Sequence, residues 1–221
     1  PEYYHYFAER EFTFHGIRQF NRNLLLGNAS LAVDGLKTGH TQTLFYPSST
    51  DRVMRICLEV LVPAIHLVLY GSNNDIYPLA RIGNELGWDL TVMANPLKVE
   101  KSLFAMVGKV LHPKGAEQPD IDDRTAAVLM AHDYMTDLQN LQNLRNSQAR
   151  YIGLLGPRKR AQKMFDALEA EEMPVDEGVM ERIFAPAGLD IGALTPEEIA
   201  LSIAAEIRAC FAGRRGASLR L

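Results

Sequence analysis

The pattern of apolar and polar residues changes near Pro63. Before this point, short apolar runs are separated by glycine, asparagine and aspartate, which favours short β-strands joined by turns. After it, continuous apolar runs alternate with stretches in which apolar residues recur at the spacing of one helix face. The sequence therefore predicts a smaller, mainly β N-terminal region over 1–62 and a strand–helix domain over 63–221.

Strands in the N-terminal region are predicted from runs such as Leu24–Leu26 and Thr43–Tyr46, and Asp34-Gly35 is a strong hairpin signal. A region of this size buries too little apolar surface to close a core alone. We expect it to pack on the second domain or on a region that precedes Pro1.

The C-terminal domain has four apolar runs that fit buried strands, with amphipathic helices between them. These strands are predicted at about 67–71, 90–94, 126–131 and 151–155. The last helix has the clearest start, because Thr195-Pro196-Glu197-Glu198 combines a capping box with proline in the first turn. Strands that alternate with helices of this length form βαβ units with right-handed crossovers. The predicted fold is α/β, with a doubly wound parallel sheet of the Rossmann-like type.

Composition and charge argue against several classes of protein. The chain has 221 residues, 47% of them hydrophobic and 23% charged, as in ordinary globular proteins. A net charge of −4 and a pI near 5.9 argue against a nucleic-acid-binding surface, and no apolar run approaches the length of a membrane span. The two cysteines, Cys57 and Cys210, are far apart, and the histidines lack metal-ligand spacing. These features predict a cytoplasmic protein without a disulfide framework or a metal site.

The turn after the first predicted strand is the expected ligand position in a doubly wound fold. Its sequence is Gly71-Ser72-Asn73-Asn74-Asp75. A dinucleotide fingerprint has three glycines here, the second of which lets backbone N–H groups approach a pyrophosphate. Asn73 replaces the second glycine and Ile76 the third, and Ala94-Asn95 stands where an acidic residue should hold the ribose hydroxyls. NAD(P) is therefore a doubtful ligand, and we predict weak binding or none.

Two further strand ends carry candidate binding residues. His132-Asp133 follows the third predicted strand, where a histidine could do acid–base work or orient a ligand. Alternatively, His132 only hydrogen-bonds a neighbouring loop. Gly156 and Arg158 follow the fourth strand at the start of a helix, a suitable position for an anion. Alternatively, Gly156 serves only the tight turn, and Arg158-Lys159-Arg160 is the solvated face of the helix.

A glycine-rich segment precedes the capped helix. Gly188, Asp190 and Gly192 belong to the sequence Gly-Leu-Asp-Ile-Gly, whose glycines permit backbone conformations that other residues rarely adopt. Loops of this kind often line ligand sites. The alternative is that Asp190 only accepts hydrogen bonds in a turn or helix cap. If the segment belongs to a site, we expect it to converge with the turns at Gly71, His132 and Gly156 on one edge of the sheet.

In this order, the motifs resemble the C-terminal Rossmann domain of the XdhC/CoxI family, the accessory proteins of xanthine dehydrogenase and related molybdenum hydroxylases. The most specific pieces are Tyr151–Arg160, Gly188–Gly192 and Thr195–Ile203. Family members usually carry Gly-Ala-Gly-His/Asn-Asp at 71–75, so this chain departs from the family at its nucleotide-binding turn. The family's N-terminal Gly-Gly-Cys-Leu-Glu motif is not recognisable in 1–60.

The resemblance implies a maturation factor or chaperone rather than an enzyme. Such a protein would bind the molybdenum cofactor, protect it during sulfuration by a cysteine desulfurase, and deliver it to the apo-subunit of a molybdenum hydroxylase; a homodimer is left open. The candidate cofactor-binding residues are Gly71, Ser72, Asn73, Asn74, Asp75, His132, Gly156, Arg158, Gly188, Asp190 and Gly192. The alternatives are an NAD(P)-dependent oxidoreductase with a degenerate fingerprint, in which His132 is the acid–base group, and an interaction module that binds no small molecule.

Overall fold

The computed structural model describes residues 7–9, 11–13, 42–47, 53–58 and 63–220. The chain divides into two compact units, Pro1–Pro63 and Ala64–Leu221. In the first unit, β1 (Phe7–Glu9) pairs antiparallel with β2 (Glu11–Thr13), and β3 (Gln42–Pro47) pairs antiparallel with β4 (Val53–Leu58). The strand predicted at Thr43–Tyr46 is confirmed as β3. The predicted strand at Leu24–Leu26 and the turn at Asp34-Gly35 lie outside the described residues.

The second unit contains a six-stranded parallel sheet. Its strands are β5 (His66–Tyr70), β6 (Asp89–Met93), β7 (Lys109–Leu111), β8 (Thr125–Leu129), β9 (Tyr151–Leu154) and β10 (Ile183–Phe184). Across the sheet the order is β7-β6-β5-β8-β9-β10. Numbered from β5, this is the 3-2-1-4-5-6 order of dinucleotide-binding folds. The predicted doubly wound parallel sheet is confirmed, and the four predicted strands lie within about two residues of their expected bounds.

Helices cover both faces of this sheet. They are α1 (Ile76–Glu85), α2 (Tyr134–Leu144), α3 (Arg158–Ala170), α4 (Glu177–Met180) and α5 (Pro196–Phe211). Helices α1 and α5 pack on one face, and α2 and α3 pack on the other. Within the described ranges, no helix is both long enough and apolar enough to cross a membrane.

The central strand β5 shows why the sequence lacks an alternating pattern here. Leu67 and Leu69 belong to the core under α1 and α5, whereas Val68 and Tyr70 belong to the core under α2 and α3. Each side chain is buried, so both faces of the strand select apolar residues. The continuous apolar run therefore follows from a parallel sheet that helices cover on both sides.

The six-stranded sheet contains two strands that the sequence does not predict. β7 spans Lys109–Leu111 and β10 spans Ile183–Phe184, and both lie at the edges of the sheet. Strands of two or three residues are too short to show a repeated alternation of apolar and polar residues, so the sequence pattern does not reveal them. The segment before β7, whose pattern indicates no clear element, forms two short 3₁₀ helices, Pro96–Lys98 and Lys101–Ala105.

Replacing Thr195 with alanine should lower the free energy of unfolding by about 1 kcal/mol. The Glu198 N–H donates to the Thr195 hydroxyl at 3.3 Å, and the Thr195 N–H donates to the Glu198 carboxylate at 2.9 Å, so the predicted capping box is present. Urea unfolding of Thr195→Ala measures the loss, and Thr195→Ser, which keeps the acceptor, is the control. Equal unfolding midpoints for the wild type and the alanine variant would contradict a stabilising cap.

Candidate functional site

The turns after β5 and β8 lie side by side at the carboxyl edge of the sheet. The two strands are paired in parallel, with Tyr70 opposite Leu129 at their ends. The chain leaves β5 for α1 on one face and leaves β8 for α2 on the opposite face. Such a reversal is a topological switch point, where doubly wound folds form their ligand crevice. The fold therefore places the turns after β5, β8 and β9 on one edge.

Gly71 allows the two central turns to approach each other. Its φ of +153° lies in a region that glycine adopts readily. A Cβ atom at this position would lie 2.6 Å from the carbonyl oxygen of Met130, too close for any other residue. The first glycine of the turn is thus required by contact with β8, whether or not a ligand binds.

Two side-chain hydrogen bonds join these turns, and we call them the loop bridge. The Asn73 amide nitrogen, Nδ2, donates to the carbonyl oxygen of Ala131 at 2.9 Å. His132 Nε2 lies 2.6 Å from Asp75 Oδ2. The His132 side chain is 51% exposed and that of Asp75 is 26% exposed, so the bridge lies at the mouth of the crevice.

The backbone of His132 adopts a conformation that is costly for a residue with a side chain. Its φ is +61°, and within the described residues the only other non-glycine residue with positive φ is Glu172. Such conformations cost about 1–3 kcal/mol and persist where the surroundings hold them. The contact to Asp75 is the hydrogen bond to a neighbouring loop that the sequence offered as the alternative to acid–base work. His132 is not paired with its neighbour Asp133, which instead caps α2.

A buried ion pair lies behind the turn after β8. Asp137, on α2, is 2% exposed; its Oδ1 accepts from the Ala131 N–H at 3.1 Å and its Oδ2 accepts from Arg160 Nη2 at 2.8 Å. Burial raises the pKa of Asp137, while the hydrogen bond from Ala131 and the charge of Arg160 act in the opposite direction. The pair fixes the peptide after β8 from behind and ties it to the first turn of α3.

Sequence reasoning missed both members of this pair. The sequence predicts a solvated basic run at 158–160, yet the Arg160 side chain is only 23% exposed, whereas Arg158 and Lys159 are exposed. The available signal was the spacing of Asp137, which precedes Leu141 by four residues and Leu144 by seven and so lies on the apolar face of α2. A carboxylate in that position needs a partner, because an unpaired buried charge is strongly disfavoured.

The turn after β9 completes this edge of the sheet. Gly156 has a φ of +123°, and Pro157 is the N-cap of α3, so the glycine does serve the tight turn. A shallow pocket lies between the ends of β8 and β9. Its lining is mostly apolar, and its charged residues are Asp137 and Arg160. Arg158 is the first residue of α3, and it is exposed at the N-terminal end of that helix.

The glycine-rich segment is attached mainly to α5. The Gly188 N–H donates to Glu206 Oε2 at 2.8 Å, and the same oxygen accepts from the hydroxyl of Tyr151 at 2.7 Å. Gly188 has a φ of +109°, and a Cβ there would lie 2.4 Å from Ser202 Oγ. Glu206 is therefore a third residue that sequence reasoning missed, and its role is to hold this loop on β9 and α5.

The four predicted segments are not joined equally. Hydrogen bonds connect the first turn to the second through the loop bridge, and the second to α3 through Asp137 and Arg160. The residue directly before the fourth segment reaches the same edge, because the Ala187 N–H donates to Leu154 O at 3.0 Å. Asp190 and Gly192 are exposed. In the described part of the chain, no group of three or more His, Cys, Asp or Glu residues is arranged to hold a metal ion.

Comparison with known proteins finds two unrelated groups of relatives. One group consists of D-alanyl-D-alanine carboxypeptidases; the carboxypeptidase DacA of Escherichia coli (strain K12) is 50% identical over 64 residues, which are 28% of this chain and 16% of the carboxypeptidase. This similarity is high in identity but covers a small part of both proteins.

The second group covers most of the chain. A protein of Bacillus subtilis (strain 168), described as a probable xanthine dehydrogenase subunit, is 29% identical over 161 residues, so that 71% of this chain aligns with 46% of that protein. The chain thus spans about half the length of this relative. A crystal structure described as a xanthine dehydrogenase from Bacillus halodurans has the same fold, with a TM-score of 0.60 and 20% identity over 88% of this chain and 67% of the other.

The XdhC Rossmann domain family matches residues 67–207, which contain the whole crevice edge from Gly71 to Gly192. That match spans more than half of the chain and agrees with the strand order and the switch point. The chain therefore belongs to the XdhC family, through its Rossmann domain.

Proposed function

We propose that the Rossmann-like unit is an accessory factor that binds the molybdenum cofactor and delivers it to a molybdenum hydroxylase such as xanthine dehydrogenase. The observation that carries the proposal is the family match over 67–207, which includes the turns of the switch-point crevice. The Bacillus subtilis relative, a probable xanthine dehydrogenase subunit, supports a role connected with that enzyme.

The chemistry of the carboxyl edge suits a pterin that carries a phosphate. Arg158 offers a guanidinium at the N-terminal end of the 13-residue helix α3, where the helix dipole also favours an anion. His132 Nδ1, which takes no part in the contact to Asp75, and the exposed carboxylate of Asp190 could hydrogen-bond the pterin ring. In this proposal the cofactor is cargo, and the residues of this chain hold and orient it without catalysing a reaction.

The partners follow from the same proposal. A protein that protects the cofactor during sulfuration and then releases it must contact a cysteine desulfurase and the apo-subunit of the hydroxylase in turn. We place both contacts at the carboxyl edge, because the cofactor has to enter and leave there. Co-purification of the full chain with each purified partner, with and without cofactor, tests these contacts and also shows whether the chain forms a homodimer.

The strand order favours one second candidate, an NAD(P)-dependent oxidoreductase, because 3-2-1-4-5-6 is the order of dinucleotide-binding folds. The site features oppose it. At the end of β6, where a carboxylate would hold the ribose, Ala94 is buried and the Asn95 side chain accepts from the Leu97 N–H at 3.0 Å. His132 is engaged with Asp75 rather than with a catalytic tyrosine or lysine.

A separate proposal concerns the N-terminal unit. We infer that the 64-residue similarity to D-alanyl-D-alanine carboxypeptidases belongs to this unit, because the XdhC family match begins only at residue 67. Lys37-Thr38-Gly39 supports the inference, since Lys-Thr-Gly is a motif of penicillin-binding proteins. The Ser-x-x-Lys motif that supplies the nucleophile of that class does not occur in the 221 residues.

NAD and NADP should bind the full chain weakly or not at all. Losing one charge-assisted hydrogen bond, such as that between a carboxylate and a ribose hydroxyl, costs about 1.5–3 kcal/mol, or one to two orders of magnitude in affinity. Isothermal titration calorimetry measures the binding. A low-micromolar dissociation constant for either dinucleotide would contradict this expectation and would favour the oxidoreductase.

Arg158→Ala and Asp190→Ala should each lower cofactor delivery to the apo-hydroxylase in a reconstituted assay, while the thermal midpoint changes little. Both side chains are exposed, and neither makes a hydrogen bond or ion pair within the described residues, so their loss removes ligand contacts without disturbing the core. Lys159→Ala is the matched control, because Lys159 is an exposed cation beside Arg158. Wild-type delivery by both variants would contradict a binding role. A large loss of stability with either substitution would instead indicate a structural role.

This chain should not be labelled covalently by a fluorescent penicillin. Acylation needs the serine of a Ser-x-x-Lys motif, whereas the 221 residues of this chain contain only the Lys-Thr-Gly triplet. Gel fluorescence after incubation checks the expectation, with the carboxypeptidase DacA as the positive control. A labelled band at 24.7 kDa that penicillin G competes away would contradict it.

A further inference from the structure

The loop bridge occupies the place where a doubly wound fold holds a pyrophosphate. In that fold, N–H groups of the first turn and of the following helix approach the phosphates, and the second glycine keeps the space above them free of a side chain. Asn73 stands at this position, and its amide extends from the turn after β5 to the carbonyl of Ala131, in the turn after β8. The side chain therefore spans the gap between the two strands that form the crevice.

The two ends of this bridge are fixed. On the β5 side, the Met130 N–H donates to the carbonyl oxygen of Tyr70 at 3.0 Å, so the two strand ends are held together up to the residue before Gly71. On the β8 side, the Ala131 N–H is bound to the buried Asp137, which Arg160 holds in turn. The contact between Asp75 and His132 closes the same gap a second time. A ligand that pushed the Asn73 side chain aside would therefore break its hydrogen bond to Ala131. The two turns would gain no other contact in exchange.

We infer that Asn73 is a specificity-determining residue that excludes diphosphate-bridged ligands from the switch-point crevice. The inference deepens the proposed function, because it states which class of ligand the same site rejects. A ligand with a single phosphate can avoid the bridge by placing that phosphate toward Arg158 and α3, whereas a dinucleotide has to lay its diphosphate over the first turn. The β5 side of the crevice is closed to phosphates, and the β9 side is open.

Inorganic pyrophosphate tests the inference directly, because it needs no ribose contact and so is insensitive to the missing acidic residue near Ala94. We expect the full-length Asn73→Gly variant to bind pyrophosphate at least tenfold more tightly than the wild type in an NMR titration of its amide signals. The affected amides should include those of 71–75. Asn146→Gly, the same substitution in an exposed turn at the opposite edge of the sheet, is the control and should bind as the wild type does.

Asn73→Ala separates the side chain from the backbone freedom that glycine adds. It removes the amide and its hydrogen bond but keeps a Cβ atom. We therefore expect an affinity for pyrophosphate between the affinities of the wild type and of Asn73→Gly. Asn73 is exposed, and both variants should therefore fold. Wild-type affinity in both Asn73 variants, or tight pyrophosphate binding by the wild type, would overturn the inference. Failure of the wild type to deliver molybdenum cofactor would overturn the proposed function and leave this result intact.

Discussion

The parallel pairing of β5 with β8 is the constraint on which the rest of the site depends. The strand order of the sheet reverses between these two strands, and the chain leaves them toward opposite faces of the sheet. Their two turns therefore meet without a helix between them. The pairing brings Met130 so close to Gly71 that a Cβ atom would not fit. The most recognisable residue of the nucleotide-binding turn is thus fixed by packing, and its presence is no evidence for a bound nucleotide.

A chain of polar contacts extends from this junction to α3. It runs from Asp75 and Asn73 to the turn after β8, then through the buried Asp137 to Arg160. Removing one member of a buried ion pair leaves an uncompensated charge and typically costs about 3–5 kcal/mol. Asp137 and Arg160 therefore hold the turn after β8 in position as well as shaping a pocket. Arg160 is therefore a structural neighbour of the candidate anion position, and Arg158 is the cation that faces outward.

The XdhC match and the side-chain contacts between the two central turns are compatible, because a fold and its ligand are set by different residues. The strand order requires only buried apolar strands, amphipathic helices and right-handed crossovers. Ligand choice depends on a few side chains at the carboxyl edge, and here Asn73 replaces the glycine that a dinucleotide needs. The fold of the family is present, and Asn73 and Asp75 of the first turn hydrogen-bond the turn after β8.

The sequence by itself determined the Rossmann-like fold, its four longer strands and the capped helix, because period, burial and capping are local patterns. It also located three turns that could carry chemistry, since each follows a predicted strand. Only the tertiary structure decided what those turns do. Asn73 reaches Ala131, His132 reaches Asp75 and Asp137 reaches Arg160 across 23 to 58 residues of chain. No local pattern encodes such pairs, because they exist only after parallel strands have brought their ends together.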